Sequence, residues 1–183
     1  MQTFHLIRHA QSEHNLAAQT ATSDPMIRDA RLTPYGHQQA KDLGAEIGAG
    51  KEFDLIVVSP FTRTIQTATH AFAQARAPWT IQPLAREWLD SYCDVGSSPT
   101  DMAKAYPHLD FSHLDDPWWY VEAGSTEPYV KEPREHLMAR IETLVSWLKA
   151  RPEQTIAVVA HGGLLRALTG QPFANAQRLI TSL

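Results

Sequence analysis

Three short apolar segments in this sequence each lead into a turn that carries arginine or histidine. The segments are Thr3–Arg8, Asp54–Val58 and Thr155–Ala160. Continuous apolar runs of this length are typical of strands that are buried on both faces of a parallel sheet. Because helical patterns separate these strands along the chain, the sequence predicts an α/β fold. This would be a three-layer sandwich, with helices on both faces of a mainly parallel central sheet.

The helices between the predicted strands are marked by capping signals and by apolar periodicity. Thr33 followed by Pro34 predicts a helix start, and Ser59 followed by Pro60 repeats this signal. A weaker strand is predicted at Trp79–Ile81. The predicted helices run from Pro34 to about Gly48, along an apolar face from Phe61 to Phe72, from Glu132 to about Ala150, and from Gly162 to about Leu168.

Length and composition indicate how the chain is organised. With 183 residues, of which 43% are hydrophobic and 20% charged, the chain fits one globular domain that spans residues 1–183. One stretch, at about 91–131, matches neither helix nor strand periodicity and contains four prolines around Trp118-Trp119-Tyr120. We expect an insertion with short helical turns here, and long loops in compact domains are often functional lids.

Charge and composition also restrict the partners. A net charge of −4 and a pI near 6.1 argue against nucleic acid, whose binding proteins usually present a basic surface. No uncharged apolar run approaches the ~20 residues that span a bilayer, and the amino terminus lacks the features of a signal peptide. The single cysteine, Cys93, excludes an internal disulfide and suits the cytoplasm. We therefore expect a cytoplasmic protein with a small-molecule partner and an oligomeric state that the sequence does not predict.

Polar residues at the ends of the predicted strands form the candidate site. In open parallel sheets, ligands bind at the carboxyl ends of the strands, where loops and helix amino termini converge. Guanidinium groups match both the charge and the geometry of phosphate oxygens. Gly162 and Gly163 would open a helix there and add backbone N–H donors. The sequence therefore predicts a phosphate site that requires no metal, and its side chains are Arg8, His9, Arg63 and His161.

Four motifs occur in order along the chain. They are Arg-His-Ala-x-x-x-x-Asn at 8–15, Leu-Thr-Pro-x-Gly-x-x-Gln-Ala at 32–40, Ser-Pro-x-x-Arg-x-x-x-Thr-Ala at 59–68 and Ala-His-Gly-Gly at 160–163. Together they resemble the histidine phosphatase superfamily, which has the phosphoglycerate mutase-like fold. The resemblance covers about the first 90 residues and roughly Thr155–Leu168. The family usually carries glycine where this chain has Ala10, and alanine fits there if its φ is negative.

The resemblance implies a role for each matching residue. His9 would be the nucleophile that becomes transiently phosphorylated, with no cofactor and no metal. Glu87 would be the proton donor for the leaving group. Arg8, Arg63 and His161 would form the catalytic phosphate clamp and bind the substrate, and Asn15 would support the phosphate pocket. Gly162, whose N–H would open the helix after His161, completes the expected substrate-binding residues.

The assignment of Glu87 has alternatives nearby in Asp90, Asp94 and Glu122. A proton donor must hold its proton until the leaving group needs it. Burial in an apolar pocket favours the protonated carboxyl, whereas nearby arginines favour the ionised form. The sequence does not decide which influence prevails.

Three functions are compatible with these residues. The first is a phosphatase that hydrolyses a small phosphate monoester through phosphohistidine. The second is a phosphoglycerate-type phosphomutase, although the family's mutases carry an Asn-Glu-Arg segment where this chain has Ala85-Arg86-Glu87-Trp88. The third is a non-catalytic protein that binds a phosphorylated ligand, because a fold does not guarantee chemistry. We expect the phosphatase.

Several other residues have two interpretations. Trp118 and Trp119 would be core residues rather than a platform for substrate, since large aromatic side chains are mostly buried. Arg28 and Arg31 would either extend the positive pocket or be surface charges. Cys93 is not expected to be a nucleophile, because its neighbours match no cysteine-hydrolase signature. The remaining histidines would be surface or packing residues, and they are His5, His14, His37, His70, His108, His113 and His136.

Overall fold

The computed structural model describes residues 1–183 and contains a five-stranded sheet. The strands are β1 (Thr3–Arg8), β2 (Leu55–Val58), β3 (Trp79–Ile81), β4 (Thr155–Ala160) and β5 (Arg178–Thr181). Their order across the sheet is β3-β2-β4-β1-β5, with β1 to β4 parallel and β5 antiparallel to β1. The predicted mainly parallel sheet is confirmed, and β5 is an edge strand that the sequence did not reveal.

Six α-helices and three short 3₁₀ turns surround the sheet. The helices are α1 (Glu13–Ala17), α2 (Pro34–Glu46), α3 (Thr62–Ala71), α4 (Pro99–Ala105), α5 (Arg134–Lys149) and α6 (Gly162–Thr169). The 3₁₀ turns lie at Gly48–Gly50, Pro83–Ala85 and Tyr92–Asp94. None of the helices combines the length and the apolar character that are needed to span a bilayer.

The two predicted helix caps have different outcomes. Thr33 caps α2, since its Oγ1 accepts a hydrogen bond from the Gly36 N–H at 2.9 Å. The cap predicted at Ser59 is wrong, because α3 begins at Thr62. The Asp29 carboxylate, from a distant loop, accepts a hydrogen bond from the Thr62 N–H at 2.9 Å. The Ser59 hydroxyl does not cap α3 and instead lies 2.8 Å from His161 Nε2.

Side chains on both faces of the sheet are buried, as expected for a three-layer sandwich. In β4, Ala157 and Val159 pack on one side in a cluster that includes residues of α2 and α3. Ile156 and Val158 pack on the other side in a cluster that includes residues of α5 and α6. Burying one valine or isoleucine side chain contributes about 1.5–3 kcal/mol relative to exposure. The two apolar layers hold the strand ends, and hence the candidate site, in register.

The insertion packs on the first of these layers. Trp118 is 4% exposed and its indole meets the Phe61 ring edge-on at a centroid distance of 4.7 Å. Its Nε1 donates to the Ser97 carbonyl at 2.9 Å. Trp119 is partly buried against the same cluster. The core interpretation of Trp118 is therefore confirmed, and the insertion is anchored at this point.

Candidate active site

The predicted site residues meet where β1, β2 and β4 end. Arg8 is the last residue of β1, Arg63 lies in the first turn of α3, and His161 follows β4 directly. Arg8 and Arg63 line a cavity of about 250 Å³, whereas His161 and Gly162 are not among its lining residues. The fully buried His161 ring lies 5.2 Å from the His9 ring, which does line the cavity. The predicted residues that line the cavity are Arg8, His9, Asn15, Arg63, Glu87 and Gly163.

His9 is held with one ring nitrogen bonded and the other free. Its Nδ1 lies 2.7 Å from the Ala10 carbonyl oxygen, and because a carbonyl only accepts, Nδ1 must carry the proton. Burial, reinforced by the charges of Arg63 and Arg8, holds the pKa of His9 well below its usual 6.5. The ring is therefore neutral with an unprotonated Nε2, which is the form of imidazole that attacks phosphorus.

The loop after His9 is fixed by further contacts. The Ala10 N–H donates to Thr67 Oγ1 at 3.0 Å, and the His9 carbonyl accepts from Asn175 Nδ2 at 3.1 Å. Ala10 is fully buried and is not among the residues with a positive φ. Alanine therefore fits at this position without backbone strain.

Arg63 is buried and oriented by the insertion. Its Nη1 donates to the Cys93 carbonyl at 2.8 Å and its Nη2 to Asp94 Oδ1 at 2.9 Å. The guanidinium also lies 4.3 Å from the centre of the Phe61 ring. Burial works to lower the pKa of Arg63, but Cys93 and Asp94 outweigh it and raise the pKa overall. Arg63 is thus a preoriented, permanently charged group in the cavity wall.

Arg8 and His161 each contain a buried nitrogen without a hydrogen-bond partner, namely Arg8 Nε and His161 Nδ1. Arg8 Nη1 donates to the Phe173 carbonyl at 2.6 Å, and Ser59 Oγ lies 2.8 Å from His161 Nε2. Burial lowers the pKa of His161 well below its usual value, and Arg63 adds to this effect. If the Ser59 hydroxyl donates to Nε2, the proton of the neutral ring lies on Nδ1. A buried unpaired donor is costly, and an anion in the cavity that Arg8 lines would offer a partner to Arg8 Nε.

Glu87 caps the helix that follows His161. Its carboxylate accepts hydrogen bonds from the backbone N–H groups of Trp88 at 2.8 Å, Gly163 at 3.0 Å and Leu164 at 2.8 Å. Burial raises the pKa of Glu87, assisted by the charge of Asp94, and it prevails over the opposing hydrogen bonds and Arg63. The direction of this shift favours the protonated carboxyl over the ionised form.

This arrangement corrects one expectation about the two glycines. The Gly163 N–H is donated to Glu87, so it is not available as a phosphate donor. Gly163 has a different reason for being glycine, because a Cβ there would lie 2.7 Å from Glu87 Oε1. At Gly162 a Cβ would lie 3.1 Å from Arg8 Nε. The two glycines therefore allow Arg8 and Glu87 to approach the start of α6.

Asn15 lines the cavity and also stabilises the loop that carries it. Its Oδ1 accepts hydrogen bonds from the Ser12 N–H at 3.2 Å and from Asn175 Nδ2 at 3.1 Å. Ser12 Oγ in turn accepts from the Asn15 N–H at 3.2 Å, which completes a capping box at the start of α1. Because the side-chain oxygen is occupied, the amide NH₂ is the group that Asn15 can offer to a ligand.

Two of the alternative acids, Asp90 and Asp94, also line the cavity. Asp94 pairs with Arg63 and also accepts hydrogen bonds from the N–H groups of Asp90 and Ser91 at 3.2 Å each. Asp90 is exposed and pairs with Lys131 at 2.7 Å. Glu122 is exposed and does not line the cavity. Unlike the buried Asp94, Glu87 has no basic side chain paired with it, and this favours Glu87 as the candidate proton donor.

The structure also shows where four other residues lie for which the sequence suggested a role or a position. His14, expected at the surface or in packing, lines the cavity, where its Nε2 lies 3.6 Å from Asp24 Oδ1. Arg28 does not line the cavity; its Nη2 donates to the Gly96 carbonyl at 2.6 Å. Arg31 is exposed and borders a separate cavity. Cys93 lines the cavity, but burial raises its pKa to about 12, which leaves it as a thiol rather than a nucleophilic thiolate.

Sequence reasoning did not identify two residues that orient site side chains. Ser59 was interpreted as a helix cap and Asp94 only as an alternative acid, whereas they orient His161 and Arg63. Both contacts join residues that are far apart in sequence, so no local pattern could reveal them. Among the cavity residues and elsewhere, no group of three or more His, Cys, Asp or Glu side chains is arranged to hold a metal ion.

Comparison with known proteins places this geometry in context. The sequence profile of the histidine phosphatase superfamily (branch 1) matches residues 4–180. A phosphoglycerate mutase-like protein of Arabidopsis thaliana is 32% identical over 204 residues, which cover 91% of this chain and 73% of that protein. The glucosyl-3-phosphoglycerate phosphatase of Mycolicibacterium vanbaalenii is 28% identical over 168 residues, covering 90% of this chain and 71% of that one.

Solved structures share the fold. A mycobacterial glucosyl-3-phosphoglycerate phosphatase superimposes with a TM-score of 0.65 at 20% identity, covering 100% of this chain and 93% of that chain. The phosphoserine phosphatase of Entamoeba histolytica, in complex with 3-phosphoglyceric acid, gives a TM-score of 0.57 at 17% identity, with 98% and 90% covered. At these identities the likeness establishes the three-layer fold.

Proposed function

This chain belongs to the histidine phosphatase superfamily (branch 1), and from that premise we propose that it hydrolyses small phosphate monoesters, without a metal, through a phosphohistidine at His9. The proposal rests on the protonation state of the His9 ring. It is neutral, its Nδ1 donates to the Ala10 carbonyl at 2.7 Å, and its Nε2 is free. A nucleophile that attacks a phosphorus atom needs this combination.

In the first step, His9 Nε2 attacks the phosphorus atom in line with the ester oxygen. The N–P bond forms while the bond from phosphorus to the leaving oxygen breaks. Glu87, whose pKa is raised by burial, donates its proton to that oxygen, so the product leaves as a neutral alcohol rather than an alkoxide. The enzyme then holds a phosphohistidine and an ionised Glu87.

In the second step, water attacks the phosphohistidine. Glu87 takes one proton from the attacking water, the N–P bond breaks, and inorganic phosphate forms. His9 returns to its neutral form and Glu87 regains its proton. One carboxyl thus serves as acid and then as base, and the reaction consumes only the ester and water.

The charge on the transferring group would be balanced by the cavity wall. Arg63 is fixed by Cys93 and Asp94, and Arg8 lines the same cavity with its Nε unpaired. In the tautomer in which Ser59 donates to Nε2, the unpaired Nδ1 of His161 would be a further donor. Preorganised donors of this kind stabilise the transition state by about 3–4 kcal/mol each when judged by their removal. Arginines that supply this charge make a metal unnecessary for the proposed step.

The size of the cavity, about 250 Å³, suits a small leaving group. Phosphoryl return to a second hydroxyl of the substrate, as in a mutase, is the second candidate, because a relative that is 32% identical is named phosphoglycerate mutase-like. Binding without turnover does not explain why the His9 ring is kept neutral with a free nitrogen.

Hydrolysis of 4-nitrophenyl phosphate in the presence of excess EDTA tests the proposal. We expect turnover that survives EDTA and disappears in His9→Ala. His108→Ala is the matched control, since His108 is exposed and lies outside the site cavity. Loss of activity with EDTA would contradict the metal-independent reaction. A wild-type protein that does not hydrolyse 4-nitrophenyl phosphate but isomerises 3-phosphoglycerate would favour the mutase.

A further inference from the structure

Three buried charged side chains and one half-exposed histidine form a cluster beside the segment that carries Glu87. At its centre is Glu132, whose side chain has no exposed surface. Glu132 Oε1 accepts from His136 Nδ1 at 2.7 Å, from Arg140 Nε at 3.0 Å and from Arg86 Nη2 at 3.2 Å. Glu132 Oε2 accepts from Arg140 Nη2 at 2.7 Å. We refer to Arg86, Glu132, His136 and Arg140 as the Glu132 cluster.

Arg140 connects this cluster to the backbone next to Glu87. Its Nη1 donates to the carbonyls of Leu84 and Arg86, both at 2.9 Å, and its Nη2 donates to the Glu87 carbonyl at 3.3 Å. One guanidinium therefore binds three carbonyls within four residues. Its five donors in a fixed planar arrangement make this possible, whereas a lysine ammonium could not span the same set.

Glu132 also holds the segment from its other end. Its carbonyl accepts a hydrogen bond from Trp88 Nε1 at 2.7 Å, and its N–H donates to the Leu89 carbonyl at 2.9 Å. The segment from Leu84 to Leu89 includes only the end of a 3₁₀ turn and no strand or α-helix. The carbonyls of Leu84, Arg86 and Glu87 therefore depend on Arg140, because no strand or α-helix satisfies them.

The burial of these charges requires an explanation. Taking a carboxylate and two guanidinium groups out of water is unfavourable, and a buried ion pair is often no more stabilising than apolar residues of the same volume. What such a network provides is one defined backbone geometry. Here the geometry concerns the residue whose carboxyl reaches the start of α6, and proton transfer is sensitive to displacements of about 1 Å.

We propose that Arg140, oriented by Glu132, is a positioning residue that sets the place of the Glu87 carboxyl in the cavity. This inference rests on the proposed function, in which Glu87 donates the proton. Arg140 does not line the cavity, so it acts on the reaction through the backbone of Glu87. Its removal should therefore affect the step that needs the acid more than the step that needs the nucleophile.

The test compares phenyl phosphate with 4-nitrophenyl phosphate in Arg140→Lys. Phenolate is the poorer leaving group and depends more on an acid. We expect kcat/KM for phenyl phosphate to fall by about tenfold and that for 4-nitrophenyl phosphate by no more than about threefold, since a displaced acid loses part of its usual 10²–10⁴-fold contribution. Arg134→Lys, at the exposed first residue of the same helix, is the control and should leave both values unchanged.

A double-mutant cycle separates positioning from a general structural effect. In a Glu87→Gln background, Arg140→Lys should have no further effect on either substrate, because the group that it positions is gone. Equal slowing of both substrates, or an undiminished effect in the Glu87→Gln background, would overturn the inference. Should Arg140→Lys not fold, Glu132→Gln in the same two backgrounds gives the same comparison. A wild-type protein that hydrolyses neither substrate would instead contradict the proposed function.

Discussion

The Gly163 N–H donates a hydrogen bond to the Glu87 carboxylate at 3.0 Å, so the candidate proton donor is attached to the helix that starts directly after His161. The acid and one wall of the phosphate pocket are thus joined through two residues of α6. A shift of that helix start would displace both groups together.

This contact predicts the effect of Gly163→Ala. The new Cβ would lie 2.7 Å from Glu87 Oε1, closer than side chains tolerate, so either the carboxyl or the helix must shift. We expect a loss of about 1–3 kcal/mol in the free energy of unfolding, as for other overpacked sites. In a Glu87→Ala background the clash is absent, and the same change should be neutral or stabilising by up to about 1 kcal/mol. Thermal or urea unfolding measures both, and equal losses in the two backgrounds would disprove the clash.

The low pKa values of His9 and His161 predict how stability depends on pH. Above pH 6.5, the usual pKa of histidine, both rings are neutral in the folded and the unfolded chain. Below pH 6.5 the unfolded chain takes up protons that the folded protein does not, so the free energy of unfolding decreases by about 1.4 kcal/mol per pH unit for each ring. His161→Gln should make this dependence less steep, whereas His108→Gln, at an exposed position, should not. Identical slopes in wild type and His161→Gln would rule out a buried neutral His161.

The raised pKa of Glu87 predicts how activity depends on pH. Because burial favours the protonated carboxyl, Glu87 remains an acid at pH values above its usual 4.5. We expect kcat/KM for phenyl phosphate to fall as the pH rises through the raised pKa, and Glu87→Gln to remove this decline while lowering the rate. The pH profiles of the two proteins, measured with the same substrate, decide the point. An unchanged profile in the variant would place the proton donor elsewhere.

Arg63→Lys should impair turnover rather than binding alone. Lysine keeps the charge but cannot bond the Cys93 carbonyl, Asp94 and a phosphoryl oxygen at once. We expect kcat/KM to fall by about 10²-fold, the effect of losing one preorganised donor. Steady-state kinetics with 4-nitrophenyl phosphate measure this. A variant with normal kcat and a higher KM would show that Arg63 binds ground state and transition state equally.

The parts of the fold that depend on local sequence could be predicted. Strands β1, β2 and β4 are continuous apolar runs, and Thr33-Pro34 marks the start of α2. The half-exposed β5 has no such run and forms only because it pairs with β1. The cap of α3 was assigned to Ser59 because Asp29, which replaces it, lies in a distant loop.

In the site, too, some residues could be predicted from local sequence and others could not. Arg8, His9, Arg63 and His161 follow strand ends, so the topology of a parallel sheet places them together. Asp94, which orients Arg63, and Arg140, which binds the backbone at Glu87, act through contacts between distant segments. Such contacts depend on how the insertion and α5 pack, and no periodicity in the sequence specifies that packing. The pocket for the leaving group would likewise depend on contacts between distant segments, so the sequence does not identify its residues.

Trapping the covalent intermediate is the decisive experiment for catalysis through His9. The protein is mixed with 4-nitrophenyl phosphate, quenched within the first turnover in alkali, where phosphohistidine is stable, and digested for mass spectrometry of the peptide that contains His9. We expect a phosphoryl group on His9 that forms within one turnover, disappears as phosphate is released, and is absent from His9→Ala. A phosphoryl group on another residue, or full hydrolytic activity with His9 unmodified at every time point, would contradict it.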